Sequence, residues 1–140
     1  EFVVLLFLAA WGNDTLAYCT GMLIGKHKMS PILSPKKSIE GLIGGIVGAA
    51  ILGGLYGMYL NTYIRFSFNP VTMFPVICGL GGAVSVIGDL AASAIKRDSG
   101  IKDYGTLIPG HGGILDRFDS IIFIAPVIYY LTVMISGGAI

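Results

Sequence analysis

Four aspartates and a set of basic residues carry most of the polar chemistry open to this chain. Asp89 stands seven residues before Lys96 in an otherwise apolar stretch. Ser85, Asp89, Ser93, Lys96 and Arg97 recur at helical spacing, which puts them on one face. At about 1.5 Å per residue, Asp89 lies roughly 10 Å inside the basic end of that helix. An acid in such a place needs a partner or a polar cavity. Asp116 and Asp119 open the next apolar stretch, with Arg117 between them. Asp89, Asp116 and Asp119 together would suit Mg²⁺, which takes few protein ligands and shares phosphate oxygens. Gly110-His111-Gly112-Gly113 runs into the same stretch, and free N–H groups at a helix start attract phosphate. Simpler readings compete. Asp89 could pair with a Lys or Arg and only solvate its helix, Asp116 and Asp119 could cap theirs, and the glycines could be a plain connector.

Asp14, in "WGNDTLAY", is the fourth acid. It precedes Lys26 by about 12 residues, a depth at which an acid is functional by default, the alternative being a helix–helix hydrogen bond. "SPKKSIEG", Ser34 to Gly41, reads as a turn into a helix, with Ser38 as N-cap and Glu40 one residue early for a capping box. Lys36 and Lys37 there would meet anionic headgroups or a nucleotide phosphate, headgroups being the default beside a membrane. Cys19 and Cys78 are isolated in apolar segments and read as small hydrophobes. There is no P-loop, HExxH or GxSxG, and "GLGGAV" lacks the third glycine of a dinucleotide fingerprint.

The elements that must position these residues are membrane helices. The chain is 54% hydrophobic and 12% charged, about half the charge of a soluble domain. Gly41–Leu60, Val71–Gly88 and Ser120–Ile140 are uncharged and near the ~20 residues of a span, and Phe2–Gly25 is a fourth, interrupted by Asp14. The expected fold is therefore all-α and polytopic, with four membrane helices, as one domain over residues 1–140. Eight of the nine basic residues lie between segments one and two or between three and four; only Arg65 lies elsewhere. The positive-inside rule puts that side in the cytoplasm. Tyr56, Tyr59, Tyr63, Phe66 and Phe68 would form an aromatic belt at the other side. The Gly44/Gly48 and Gly53/Gly57 pairs mark segment two as a packing helix. The chain opens on Glu1 within an apolar run, which reads as part of something longer.

"SAIKRDSGIKDYGTLIPGHGGILDRFD", Ser93 to Asp119, resembles the signature of the phosphatidate cytidylyltransferases, or CDP-diacylglycerol synthases. Ser93, Lys96, Arg97, Lys102, Asp103, Gly105, Pro109, His111, Gly112, Gly113, Asp116, Arg117 and Asp119 stand where that pattern wants them. "NDTLAY" and "SPKKSIEG" also resemble segments of the family, and the likeness covers the whole chain as the C-terminal half of a member, without the N-terminal helices. The resemblance implies transfer of a cytidylyl group from CTP to phosphatidic acid, giving CDP-diacylglycerol and pyrophosphate with Mg²⁺, and leaves room for a second cation. It implies membrane lipids as surroundings, a bacterial inner-membrane location, a homodimer, and no nucleic-acid partner. The expected roles follow. Asp89 and Asp119 hold metal, with Asp116 as ligand or support. Lys96, Arg97, Lys102 and Arg117 hold phosphates, helped by His111, Gly112 and Gly113. Asp14, Lys26 and Ser93 share the cavity, and Lys26 also faces phosphate. The lipid phosphate is already ionised near neutral pH, so no general base is needed. The alternative reading is an ion-coupled transporter or channel segment, with Asp14 and Asp89 as ion sites; the one-sided charge and the lack of an internal repeat count against it.

Overall fold

The computed structural model describes residues 2–30, 34–101 and 115–136, with backbone only at 30, 34–36, 115–117 and 119. Helix α1 (Phe2–Phe7) continues through a π-helical stretch, Leu8–Gly12, into α2 (Asn13–Ile24). A small antiparallel hairpin follows, β1 (Lys28–Ser30) with β2 (Ser34–Ser38). Then come α3 (Ile39–Tyr63), α4 (Pro70–Asp98) and α5 (Leu115–Ile135). The architecture is all-α apart from the hairpin. Phe2–Ile24, Ile39–Tyr63 and Pro70–Asp98 are each long and apolar enough to cross a membrane. The fourth expected span is shorter among the described residues, where its apolar part runs Ser120–Ile135.

Local sequence explains the helix ends. Ser38 Oγ accepts from the Gly41 N–H at 3.1 Å, the expected N-cap of α3. Asn69 Oδ1 accepts from the Val71 N–H at 3.0 Å, and Pro70 takes the first helical position, where its missing N–H costs nothing. Helix α4 stops at Gly100, whose φ of 68° suits a residue without Cβ. There Gly100 N donates to Arg97 O and Ile101 N to Lys96 O, the paired bonds of a Schellman end. Lys96 and Arg97 occupy that last turn, where cations are favoured by the helix dipole.

Helix α3 inverts the pattern of a soluble amphipathic helix. Gly41, Gly45, Gly53 and Gly57 are buried with Ala49, at a spacing of four. Ile43, Val47, Ile51 and Leu55, at the same spacing, are more than half exposed. In lipid nothing drives large apolar groups inward, so small residues take the interfaces and let backbones approach. Gly45 meets Ala17 and Asn13 of α2, while Gly53 and Gly57 meet Phe74, Cys78 and Pro70 of α4. Gly44 and Gly48 face Thr20 and Leu16. Both GxxxG pairs therefore work inside the chain. Helices α2, α3, α4 and α5 pack in sequence order, and α1 closes against α4 and α5. The core runs through Leu5, Ala9, Phe74, Ile77, Ile124 and Ile128. Of the expected aromatic belt, Tyr59 and Tyr63 are exposed, but Tyr56, Phe66 and Phe68 gather around Phe74 at 5.8–6.1 Å between ring centres. Cys78 is buried, Cys19 is exposed, and both are free thiols.

The expected turn at Ser34–Ser38 is instead the second hairpin strand. Neither strand is rich in β-branched residues, and β2 contains Pro35, so propensity did not announce it. Its ends are held by helices. Ile39 N donates to His27 O at 2.9 Å. The Glu40 carboxylate accepts from the His27 N–H at 3.2 Å and contacts His27 Nδ1 at 2.6 Å. Freed from a capping box, Glu40 reaches back to fix the hairpin instead. Ser38 joins these parts, because its hydroxyl lies beside Gly21, Gly25 and Gly41. Ser38→Ala is expected to cost about 1 kcal/mol as a lost N-cap, read as an earlier midpoint in unfolding by denaturing detergent.

Candidate active site

The π-helical stretch ends at the residue before Asn13. Such widened turns reset the register of a helix and often occur at functional sites. After it, Asn13 points fully into the interface with α3 and α4, close to Gly45 and Gly82. Asp14, the next residue, faces a cavity of about 290 Å³. The cavity is walled by Asp14 and Tyr18 of α2, Met29 of β1, Lys37 of β2, Leu42 of α3 and Asp89 of α4. It lies at the end of the bundle where the hairpin joins α2 to α3.

Asp89 is paired there. Lys37 Nζ donates to Asp89 Oδ2, and both side chains are only about a quarter exposed. The expectation that Asp89 needs a partner holds, and the partner comes from the hairpin, not from the end of its own helix. A hydrogen-bonded ion pair at this depth offsets the cost of burying the carboxylate. One turn toward the helix interior, Ser85 is fully buried, and among the described residues its hydroxyl has no hydrogen-bond partner; neither has the Asn13 amide.

The other expected site residues divide into three groups. Ser93, Lys96 and Arg97 follow Asp89 on α4, with burial decreasing toward the end of the helix. They do not wall the cavity. Lys26 is exposed and does not wall it either, contrary to the expectation that it joins Asp14. Lys102, His111, Gly112 and Gly113 lie outside the described residues. Asp116, Arg117 and Asp119 fall at the start of α5, with side chains outside the described part. Lys37 is the residue to which sequence reasoning gave too little weight. Its signal was the double lysine just before a helix cap, read there as a headgroup contact.

Among the described residues no three His, Cys, Asp or Glu side chains gather at one point. The donor chemistry still fits a magnesium ion. Asp14 and Asp89 bring two hard carboxylates to one cavity, and Mg²⁺ commonly takes one or two from protein when phosphates supply the rest. The Lys37 ammonium already marks Asp89 Oδ2 as a cation-binding oxygen.

Similarity to known proteins places the chain in a family. The pattern of the cytidylyltransferase family matches residues 1–135. A phosphatidate cytidylyltransferase of Staphylococcus haemolyticus is 38% identical, over 95% of this chain and 49% of its own length. One from Thermotoga maritima is 37% identical, over 96% of this chain and 50% of its own. One from Synechocystis is 44% identical, over 94% and 43%. The chain thus spans about half the length of these relatives. With all but its last five residues under one family pattern, the chain belongs to the cytidylyltransferase family.

Proposed function

We propose that this chain forms the catalytic cavity of a membrane enzyme that transfers the cytidylyl group of CTP to phosphatidate. The observation that carries the reading is the Lys37–Asp89 pair beside Asp14, in a cavity at the basic end of a membrane-helix bundle. A phosphate oxygen of phosphatidate attacks the α-phosphorus of CTP. The bond from that phosphorus to the bridging oxygen breaks, and pyrophosphate leaves. The nucleophile is an anion already, so the chain has no proton to remove. Its task is to bring a phosphate monoester and a triphosphate together despite their repulsion.

Magnesium, when bound, would supply positive charge to the triphosphate and the leaving group. Asp89 and Asp14 are the described residues that would hold it, with Asp116 and Asp119 as the further proposed carboxylates. Lys96, Arg97, Lys102 and Arg117 would hold phosphates as fixed positive charges aimed at the transferring group. His111, Gly112 and Gly113 would donate to phosphate oxygens. The lipid enters from the bilayer side and the nucleotide from the water, which we take to be the cytoplasm of a bacterial cell. A homodimer would use a lipid-facing surface, since both GxxxG pairs are already covered within the chain.

The test is direct. The full-length protein in detergent is given CTP, phosphatidate and Mg²⁺, and CDP-lipid and pyrophosphate are followed together. They are expected in one-to-one yield, and chelation should stop both. Release of pyrophosphate without CDP-lipid, or no product from folded protein that binds CTP, would overturn the reading.

A further inference from the structure

Asn13, at the start of α2, and Ser85, on α4, are polar side chains buried completely inside the bundle. Among the described residues, neither amide atom of Asn13 nor the Ser85 hydroxyl has a hydrogen-bond partner. Thr20 and Thr132 show what a hydroxyl in a span usually does. They donate to Leu16 O at 2.5 Å and to Ile128 O at 2.7 Å, each four residues back on its own helix. Ser85 makes no such bond to its own helix. A bare amide and a bare hydroxyl are unfavourable in a membrane interior, where no bulk water is at hand.

Gly82 brings the two groups near each other. A Cβ built there would lie 3.1 Å from Asn13 Oδ1 and 3.3 Å from Asn13 Cγ. Ser85 is three residues further on, so its Cβ lies roughly 5–6 Å from the same point. Side chains lean toward the N-terminus of their helix, which tilts Ser85 back over the Gly82 turn. Asn13 and Ser85 make no direct bond. Two hydrogen bonds in series through one water span roughly 5 Å, which matches this separation. Both groups are neutral, which suits water and not an ion. Water has a short way to come, because Asp14 follows Asn13, Val86 follows Ser85, and both wall the cavity.

We propose that Asn13 and Ser85 hold one buried water molecule between α2 and α4, beneath the cavity. The water accepts from Asn13 Nδ2 and donates to Asn13 Oδ1 and Ser85 Oγ. That gives it three bonds, the usual number for a buried water, and satisfies all three bare atoms. Helix α2 otherwise meets α4 mainly through α3. The water therefore ties the helix that carries Asp14 directly to the helix that carries Asp89. It does so one residue from the first carboxylate and one turn from the second. This tie serves the cavity whatever reaction takes place there.

The first experiment needs no variant. Full-length protein is crystallised in a lipid mesophase and refined at a resolution that shows ordered water. One peak is expected at about 2.7–3.2 Å from both the Asn13 amide and Ser85 Oγ. A direct Asn13–Ser85 bond, a dry contact, or a side chain of another segment seated there overturns the proposal. A peak that gains anomalous signal after a rubidium soak is a monovalent cation and overturns it as well.

The second experiment is a double-mutant cycle of Asn13→Ala and Ser85→Ala, read by unfolding in denaturing detergent. Ser85→Ala should shift the unfolding equilibrium about fivefold toward the unfolded state, because it strips the water of one partner. Asn13→Ala should shift it further, since it also leaves space behind. The water is lost only once, so the double variant should fall short of the product of the two effects by about fivefold. Effects that simply multiply overturn the shared water, because side chains that do not touch are otherwise independent. Should Asn13→Ala fail to fold, the electron density decides. Neither measurement uses turnover, so failure of the cytidylyl-transfer reading leaves the water site standing, and the reverse.

Discussion

Asp89→Asn is expected to lower cytidylyl transfer by about 10³-fold and to leave the protein folded. The substitution keeps size and shape but removes the charge proposed to hold a cation. Two consequences follow, and they differ in size. For stability, the loss is that of the Lys37 pairing. Both groups are partly shielded, so the cost falls between the roughly 0–1 kcal/mol of an exposed pair and the roughly 3–5 kcal/mol of a fully buried one. A bundle held by four packed helices should survive that. For catalysis, the amide is a poor magnesium ligand and leaves Lys37 without its carboxylate. Parallel assays of CDP-lipid yield and of thermal unfolding in detergent separate the two. Near-normal turnover in a folded Asp89→Asn protein would remove Asp89 from the proposed metal site.

Gly45 offers the second large effect, this time through packing. A Cβ there would lie 2.7 Å from Ala17 Cβ, 2.7 Å from Asn13 Oδ1 and 2.8 Å from the Asn13 backbone oxygen. A side-chain atom could turn aside, but a backbone oxygen cannot, so α2 and α3 must separate. Gly45→Ala is expected to cost about 1–3 kcal/mol, and Gly45→Val more. The damage should reach the site, because Asn13 is bonded in sequence to Asp14, which walls the cavity. Reduced turnover is expected even at temperatures where the variant stays folded. Gly79→Ala is the matched control. Among the described residues its added Cβ would meet only Ala50 Cβ, at an ordinary 3.6 Å, and a helical glycine replaced by alanine gains about 1 kcal/mol in propensity. A denaturing-detergent titration of the three variants and wild type should place Gly79→Ala at or above wild type and both Gly45 variants below it. Equal midpoints would show that the α2–α3 contact is looser than the geometry states.

How far the residues announced this structure depends on the range of each interaction. Helix limits are set by neighbours in the chain, and the Ser38 cap was read in advance. Ser38 and Asn69 are caps that accept from N–H groups within three residues of them, and α4 ends at Gly100 through bonds from Gly100 and Ile101 to Arg97 and Lys96. Apolar length marked the spans, because a backbone in lipid has to satisfy itself along its own segment. The spacing of Asp89, Ser93, Lys96 and Arg97 likewise marked one polar face of α4 before any fold was known.

The tertiary structure decided what meets what. Lys37 and Asp89 are 52 residues apart, and no local pattern links them. They meet because Gly41, Gly45, Gly53 and Gly57 let α3 lie close to α2 on one side and α4 on the other. That approach brings the hairpin over the cavity. The hairpin itself was hidden for the same reason: its strands are weak formers, held in shape by His27 and Glu40. The glycine motif was visible in the sequence, but its partners were not, since a small-residue face fits any close helix equally well. Sequence by itself determined the three long membrane helices, the Ser38 cap and the kinds of group available for chemistry, all of which follow from local spacing and solvation. Only packing fixed that Asp14, Lys37 and Asp89 share one cavity, because that depends on the register in which three helices touch.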